Sequence, residues 1–300
     1  AGGGGVEFSK EGAIVVARSD AEIGWLETLA AACQARDLPV RRMSAADLKR
    51  DEPALTGGAK AALMLPEDRQ VDAQIVLQRL GAALSRAGVG FKYGRKVERI
   101  VGGQVFQMPD GERFDRVVLA TGSGPLPAFF GPRGAPLEHG LIEMIPVKGQ
   151  MLALAPVGGG PQHVIHARDV YIAPKSRWVL VGATSERGRA DTEVEPASVA
   201  ALRTRAAALV PALADAPEVT AWAGVRPGTP DDAPMIGQTA IPGVFAALGH
   251  YRNGVLFAPA TAELVADQVI DGKVSPLAGA FDPLRFDKQA EAAHSALQRD

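Results

Sequence analysis

The stretch from Trp222 to Pro259 reads WAGVRPGTPDDAPMIGQTAIPGVFAALGHYRNGVLFAP. It sets Arg226 before Pro227-Gly228-Thr229 and Arg252 inside Gly249-His250-Tyr251-Arg252-Asn253-Gly254. Between them Val244-Phe245-Ala246-Ala247 is a short apolar run with the character of a buried strand. Pro227, Pro230 and Pro234 stiffen the first loop, and the glycines permit close backbone approach. A guanidinium is a planar fork that matches a carboxylate in a bidentate way. A helix is expected to start just after the second loop, with Thr261-Ala262-Glu263-Leu264-Val265 following Pro259. A loop that opens a helix points unpaired N–H groups outward, toward an electron-rich ligand edge. A strand, a helix and two arginine-bearing loops within 40 residues describe a binding loop system on a mixed α/β framework.

The composition is that of an ordinary globular chain. Of 300 residues, 47% are hydrophobic and 22% charged, enough for a sizeable core in one large or two modest domains. The net charge of -2 offers no footprint for nucleic acid. Cys33, the single cysteine, excludes an intrachain disulfide and fits a reducing, cytoplasmic setting. No apolar run approaches the ~20 residues of a membrane span, and no signal-peptide pattern opens the sequence. The run Gly2 to Gly5 lacks the spacing, the preceding strand and the following helix of a dinucleotide fingerprint, and reads as a linker.

Along the chain, Ala13 to Ala17 predicts a strand. Ser19-Asp20-Ala21-Glu22 predicts a capped helix with Ile23, Leu26, Leu29 and Cys33 on one face. Ser44 and Asp47 open a short helix that stops at Pro53. A helix after Val71-Asp72 runs to about Ala87, with Val76, Leu80 and Leu84 inward and Gly88 as its stop. Val89 to Tyr93 and Val97 to Val101 predict strands, and Asp110-Gly111 a hairpin turn. Phe114 to Gly122 reads as one apolar strand, buried on both faces as in a parallel sheet, ending in a glycine turn. Met151 to Leu154, Tyr171-Ile172 and Trp178 to Ala183 predict antiparallel strands, with Lys175-Ser176-Arg177 a turn between the last two. Pro196 opens a helix with Val199, Leu202, Ala206 and Leu209 inward. Leu264, Val265 and Val269 lie on a helix stopped by Gly272. His163 and His166 stand three apart in a strand context, weak ground for a metal site, and no nucleophile motif is present.

The two motifs WAGVRPGTPD and GHYRNGVL resemble, nearly letter for letter and in the same order, those of the glycine oxidase branch of the D-amino-acid oxidase family, the flavoenzymes of thiamine biosynthesis. Segments such as EGAIVVA, YIAPK, LVGATSE and FDPLRF extend the resemblance over nearly the whole chain. It implies a D-amino-acid-oxidase-like FAD-binding fold interleaved with an antiparallel-sheet substrate domain. The expected FAD-binding parts are residues 69–140 and 227–280, the substrate parts residues 6–68 and 141–226, and the tail residues 281–300. The family's strand–GxGxxG–helix, which holds the flavin pyrophosphate, is absent from these 300 residues. The expectation is therefore a chain that starts inside the family's sequence, holds FAD weakly by itself, and exposes an unpaired sheet edge that favours self-association into homo-oligomers.

The resemblance also implies the reaction. FAD takes a hydride from glycine or another small amino acid or amine, water releases an oxo acid and ammonia, and molecular oxygen becomes hydrogen peroxide. Arg226 clamps the substrate carboxylate, Tyr171 adds a hydrogen bond, and Arg252 lies on the substrate side. Ala120, Thr121, Gly122, Gly149 and the loop Gly249, His250, Tyr251, Arg252, Asn253, Gly254 and Val255 contact the flavin nucleotide. No side chain is required as an acid–base catalyst. The alternative is a truncated, non-catalytic fragment that acts as a carboxylate-binding or assembly module.

Overall fold

A computed structural model describes residues 8–286, so the glycine run at Gly2 to Gly5 lies outside the described residues. The architecture is mixed α/β and divides into two compact units. One holds the chain through Phe91 together with Lys148–Glu186 and Asp191–Gly224; the other holds Lys92–Val147, Arg187–Ala190 and the chain from Val225 on.

The first unit is built on a twisted sheet. Seven of its strands run in the order Ile145–Leu154, Val179–Gly182, Tyr171–Pro174, Val164–His166, Ala13–Ala17, Ala61–Leu65 and Arg41–Met43. All neighbours are antiparallel except Val164–His166 with Ala13–Ala17, which run parallel. All five residues of Ala13–Ala17 are buried, as an interior strand between two covered faces requires. Helix α1 (Asp20–Gln34) starts at Ser19, whose hydroxyl accepts from Glu22 N–H. The Glu22 carboxylate reaches back one residue further than a standard capping box and takes Arg18 N–H at 2.7 Å. Leu26 and Ala30 are the residues of α1 that are fully buried, while Cys33 stays half-exposed. Helix α2 (Ala45–Asp51) carries the reciprocal box between Ser44 and Asp47.

Helix α3 (Ala73–Arg86) is capped by Asp72, which accepts from both Gln74 and Ile75 N–H. None of its residues is buried, so the expected inward packing of Val76, Leu80 and Leu84 is not met within the described residues. Helix α4 (Pro196–Leu209) buries Val199, Leu202, Ala206 and Leu209, the face its spacing predicts. These join Ile14, Leu152, Ile165 and Val181 in the main core of the unit.

The second unit has two smaller sheets. In one, Phe106–Gln107 and Arg113–Phe114 form the hairpin around Asp110-Gly111. In the other, Met235–Gln238, Val244–Leu248 and Val117–Leu119 lie in that order, the last two strands parallel. The single strand expected from Phe114 to Gly122 is thus two strands in two sheets, and the charged pair Asp115-Arg116 marks the change of partner. Nor is it buried on both faces: Val117 and Leu119 are inside, but Val118 on the unpaired edge is 43% exposed. Val89 to Tyr93 forms no strand and is exposed, and Val97 to Val101 shortens to Arg99–Val101. Helix α5 (Gly254–Ala266) begins seven residues before Thr261 and contains Pro259. It widens into a π-type turn over Asp267–Asp271 and ends at Gly272, which adopts φ 67° as a left-handed stop.

Candidate active site

The two arginine-bearing loops meet through the backbone. Tyr251, at φ 49°, donates its N–H to the Pro227 carbonyl at 3.0 Å. Gly249 lies against Thr229: a Cβ there would fall 2.6 Å from the threonine methyl, and the backbone is already left-handed at φ 73°. Glycine is required on both counts. The turn after Arg226 is held from several directions. The fully buried Thr229 donates its hydroxyl to Ala233 O at 2.8 Å. Arg285 forks onto Asp231 at 2.8 and 2.9 Å and donates to the carbonyls of Ala233 and Pro234. That guanidinium holds the Asp231 carboxyl down at about 2. Arg187 donates to Thr229 O and pairs with Asp232. Sequence reasoning missed Arg187 and Arg285, because their partners lie more than 40 residues away.

Beside these loops opens a largely apolar cleft of about 630 Å³, bordered by Val118, Ala120, Gly122, His250, Tyr251 and Gly254 and floored by α5. Pro227, next to the half-buried Arg226, also borders it. Val118 separates it from a second cavity of about 590 Å³ that takes in Thr121, Val97 and Lys96. The structure therefore brings Ala120, Gly122 and the 249–254 loop together across 127 residues of sequence, with Thr121 facing the other side. His250 Nε2 lies 2.9 Å from Thr261 Oγ1, and burial pushes its imidazole below the ordinary value, so it is neutral near pH 7. Asn253 offers α5 no side-chain cap, which leaves first-turn N–H groups available to an acceptor. Arg252 is exposed, with its guanidinium 5.1 Å from the Tyr251 ring centroid.

A flat, weakly polar ring system fits such a cleft. Its volume is that of a small-molecule site, its walls are apolar, and its polar groups sit at the loop and the helix start. These residues fit a flavin.

Tyr171 and Gly149 belong to the first unit. Tyr171 is half-buried, and its hydroxyl donates to Met151 Sδ at 3.1 Å. Gly149 lies between Lys148 and Gln150, each 0% exposed in the middle of a strand. Lys148 is ion-paired with Asp191, and Gln150 reaches Glu186 at 3.0 Å and Glu195 at 3.2 Å. Lys175 tethers Gln70 and the Val71 carbonyl at 2.7 and 2.9 Å, which gives it a structural role. His163 turns to the buried Glu52, which also accepts the N–H groups of Gln162 and His163.

Comparison with known proteins decides the family. A family model described as FAD dependent oxidoreductase matches residues 2–268. The chain belongs to this family of FAD-dependent oxidoreductases. It is 38% identical over 237 residues to a bifunctional ThiO/ThiG protein of Synechocystis sp., covering 74% of this chain and 34% of that protein. It is 36% identical to a glycine oxidase of Geobacillus kaustophilus, covering 77% of this chain and 62% of that protein. The crystal structure of glycine oxidase from Geobacillus kaustophilus superposes with a TM-score of 0.80 at 32% identity, over 90% of this chain and 73% of that one. The chain thus spans about a third of the bifunctional relative and under two thirds of the curated oxidase. No helix among the described residues is long and apolar enough to cross a membrane.

Proposed function

We propose that the protein oxidatively deaminates glycine or another small amino acid or amine, giving an oxo acid, ammonia and hydrogen peroxide, and that this reaction serves thiamine biosynthesis. Relatives named glycine oxidase and ThiO/ThiG support the substrate class. The observation that carries the reading is the Tyr251 N–H to Pro227 carbonyl bond, which ties the Arg226 loop to the lip of the apolar cleft.

Bound FAD supplies the hydride acceptor that no amino-acid side chain can provide. Ala120, Thr121, Gly122, Gly149 and residues 249–255 would hold it. Arg226 receives the substrate carboxylate through its two parallel N–H bonds, and this fixes which end of the amine enters. Tyr171 offers its hydroxyl as one hydrogen bond to substrate. Arg252 stands on the substrate side, where its positive charge draws anions toward the site. Neutral His250 braces the loop through Thr261 without adding charge to an apolar wall.

The test is an oxidase assay of the FAD-loaded protein with glycine, sarcosine and alanine, scoring peroxide and ammonia together. Loss of one partner of a buried charged contact costs roughly 2–5 kcal/mol, so Arg226→Ala should weaken amino-acid binding by about 30-fold or more. Arg226→Lys should rescue poorly, because a point charge cannot form the fork. Tyr171→Phe should be milder, at roughly 0.5–1.5 kcal/mol. Normal substrate binding in both Arg226 variants would remove Arg226 from the site. A folded, flavin-loaded protein with no turnover of any amine would favour the non-catalytic binding module.

A further inference from the structure

Three adjacent strands of the first unit place Met151, Gly182 and Tyr171 in one row. Met151 pairs with Gly182 across one ladder, and Gly182 with Tyr171 across the next. Residues directly opposite on neighbouring strands project from the same face. A glycine in the central position removes the side chain that would keep its two neighbours apart. A Cβ at Gly182 would fall 2.4 Å from Met151 Sδ and 2.8 Å from Tyr171 Cζ. The thioether and the phenol ring therefore close over the glycine, and the Tyr171 hydroxyl donates to the sulfur at 3.1 Å. Both side chains are half-buried, so this pair forms part of a reachable wall rather than the sealed core.

Sulfur is a weak acceptor, whereas a carboxylate is a strong one. A ligand carboxylate can take the Tyr171 hydroxyl from Met151 at little cost. In doing so it comes to rest against the thioether, and so does whatever is attached to its α-carbon. We infer that Met151 is a specificity-determining residue of the substrate site. Its side chain fills the volume beside the Tyr171 hydroxyl that the side chain of a larger amino acid would need. This inference rests on the reading of Tyr171 as a carboxylate-binding group. Methionine suits the task because it is unbranched and can yield by a methyl's width, but not by a branched side chain. The small residue at Gly182 is part of the device, since it is what brings the sulfur over the tyrosine.

The experiment compares wild type, Met151→Ala and Met151→Leu as FAD-loaded proteins. Calorimetry measures the binding of glycolate, lactate and 2-hydroxy-3-methylbutyrate, and steady-state assays give kcat/KM for glycine, alanine and valine. One methylene of pocket volume is worth about tenfold or more. Met151→Ala should therefore raise the valine-to-glycine ratio of kcat/KM, and the matching ratio of acid affinities, by about tenfold or more. Met151→Leu keeps the volume and removes the sulfur, so it should preserve the size limit. If wild type binds glycolate but Met151→Ala leaves both ratios within about twofold of wild type, the inference falls alone. If wild type binds none of the three acids, the substrate reading falls and takes the inference with it.

Discussion

Helices α3 and α4 each have 14 residues, and the sequence writes an apolar face into both. Their fates differ. In α4, Leu202, Ala206 and Leu209 are 0% exposed and Val199 is 8% exposed, all within the main core of their unit. In α3, Leu77 is 68% and Leu80 51% exposed, and no residue of the helix is buried. By pattern α3 is the more sharply two-sided of the pair: Val76, Leu77, Leu80 and Leu84 line one side, and Gln74, Gln78 and Arg79 lie away from it. Periodicity states which face of a helix would be buried. Whether burial happens depends on a partner surface, and no helix encodes that in its own spacing. Its ends tell the rest: α3 is held by the double N-cap of Asp72 and by Gly88 at φ 85°, not by packing.

The largest expected difference comes from the buried helix. Leu202→Ala should cost roughly 2–5 kcal/mol, the range for a truncated core leucine, and urea titration would show it as a lower midpoint. Next comes the buried carboxylate that follows α2. Glu52→Ala leaves the N–H groups of Gln162 and His163 without their acceptor, which should cost about 1–3 kcal/mol by the same titration. In α3, Asp72→Ala should cost about 1 kcal/mol through the lost cap, with helical circular dichroism reporting the fraying. The smallest effect belongs to Leu80→Ala, expected within about 0.5 kcal/mol of wild type. A loss comparable to that of Leu202→Ala would show that α3 is covered in solution, and would break the contrast.

The same distinction separates what the sequence reveals from what it hides. Local chemistry is legible. Ser19, Ser44, Asp72 and Pro196 start helices where their side chains or fixed φ dictate. Tyr171 faces Gly182 because a four-residue turn, closed by Lys175 N–H to Trp178 O at 2.8 Å, sets the register. The 226–229 and 249–254 loops are legible too, because glycine and proline restrict the backbone so narrowly. Long-range choice of partner is not. Phe114 to Gly122 reads as one strand, since apolar character does not record that its two halves pair with different neighbours. The helix expected just after the 249–254 loop does begin at Gly254, and it tolerates Pro259 because the carbonyl left without a proline N–H belongs to Val255 in an exposed first turn. Lys148 and Gln150 pass for surface residues until Asp191, Glu186 and Glu195 are seen around them. Burial of such polar groups depends on partners tens of residues away.

The proposed reaction oxidises a small carboxylate-bearing amine beside the cleft that Tyr251 and Pro227 border. Anaerobic mixing of the FAD-loaded protein with glycine tests it most directly, because it isolates the transfer from the later reaction with oxygen. The visible absorbance of the bound flavin should bleach to completion at a rate that saturates with glycine. Arg226→Ala should need about 30-fold or more glycine for the same rate, as expected for a lost buried charge contact. Flavin that stays oxidised with glycine, sarcosine and alanine alike, in a protein that binds it stoichiometrically, would contradict the claim.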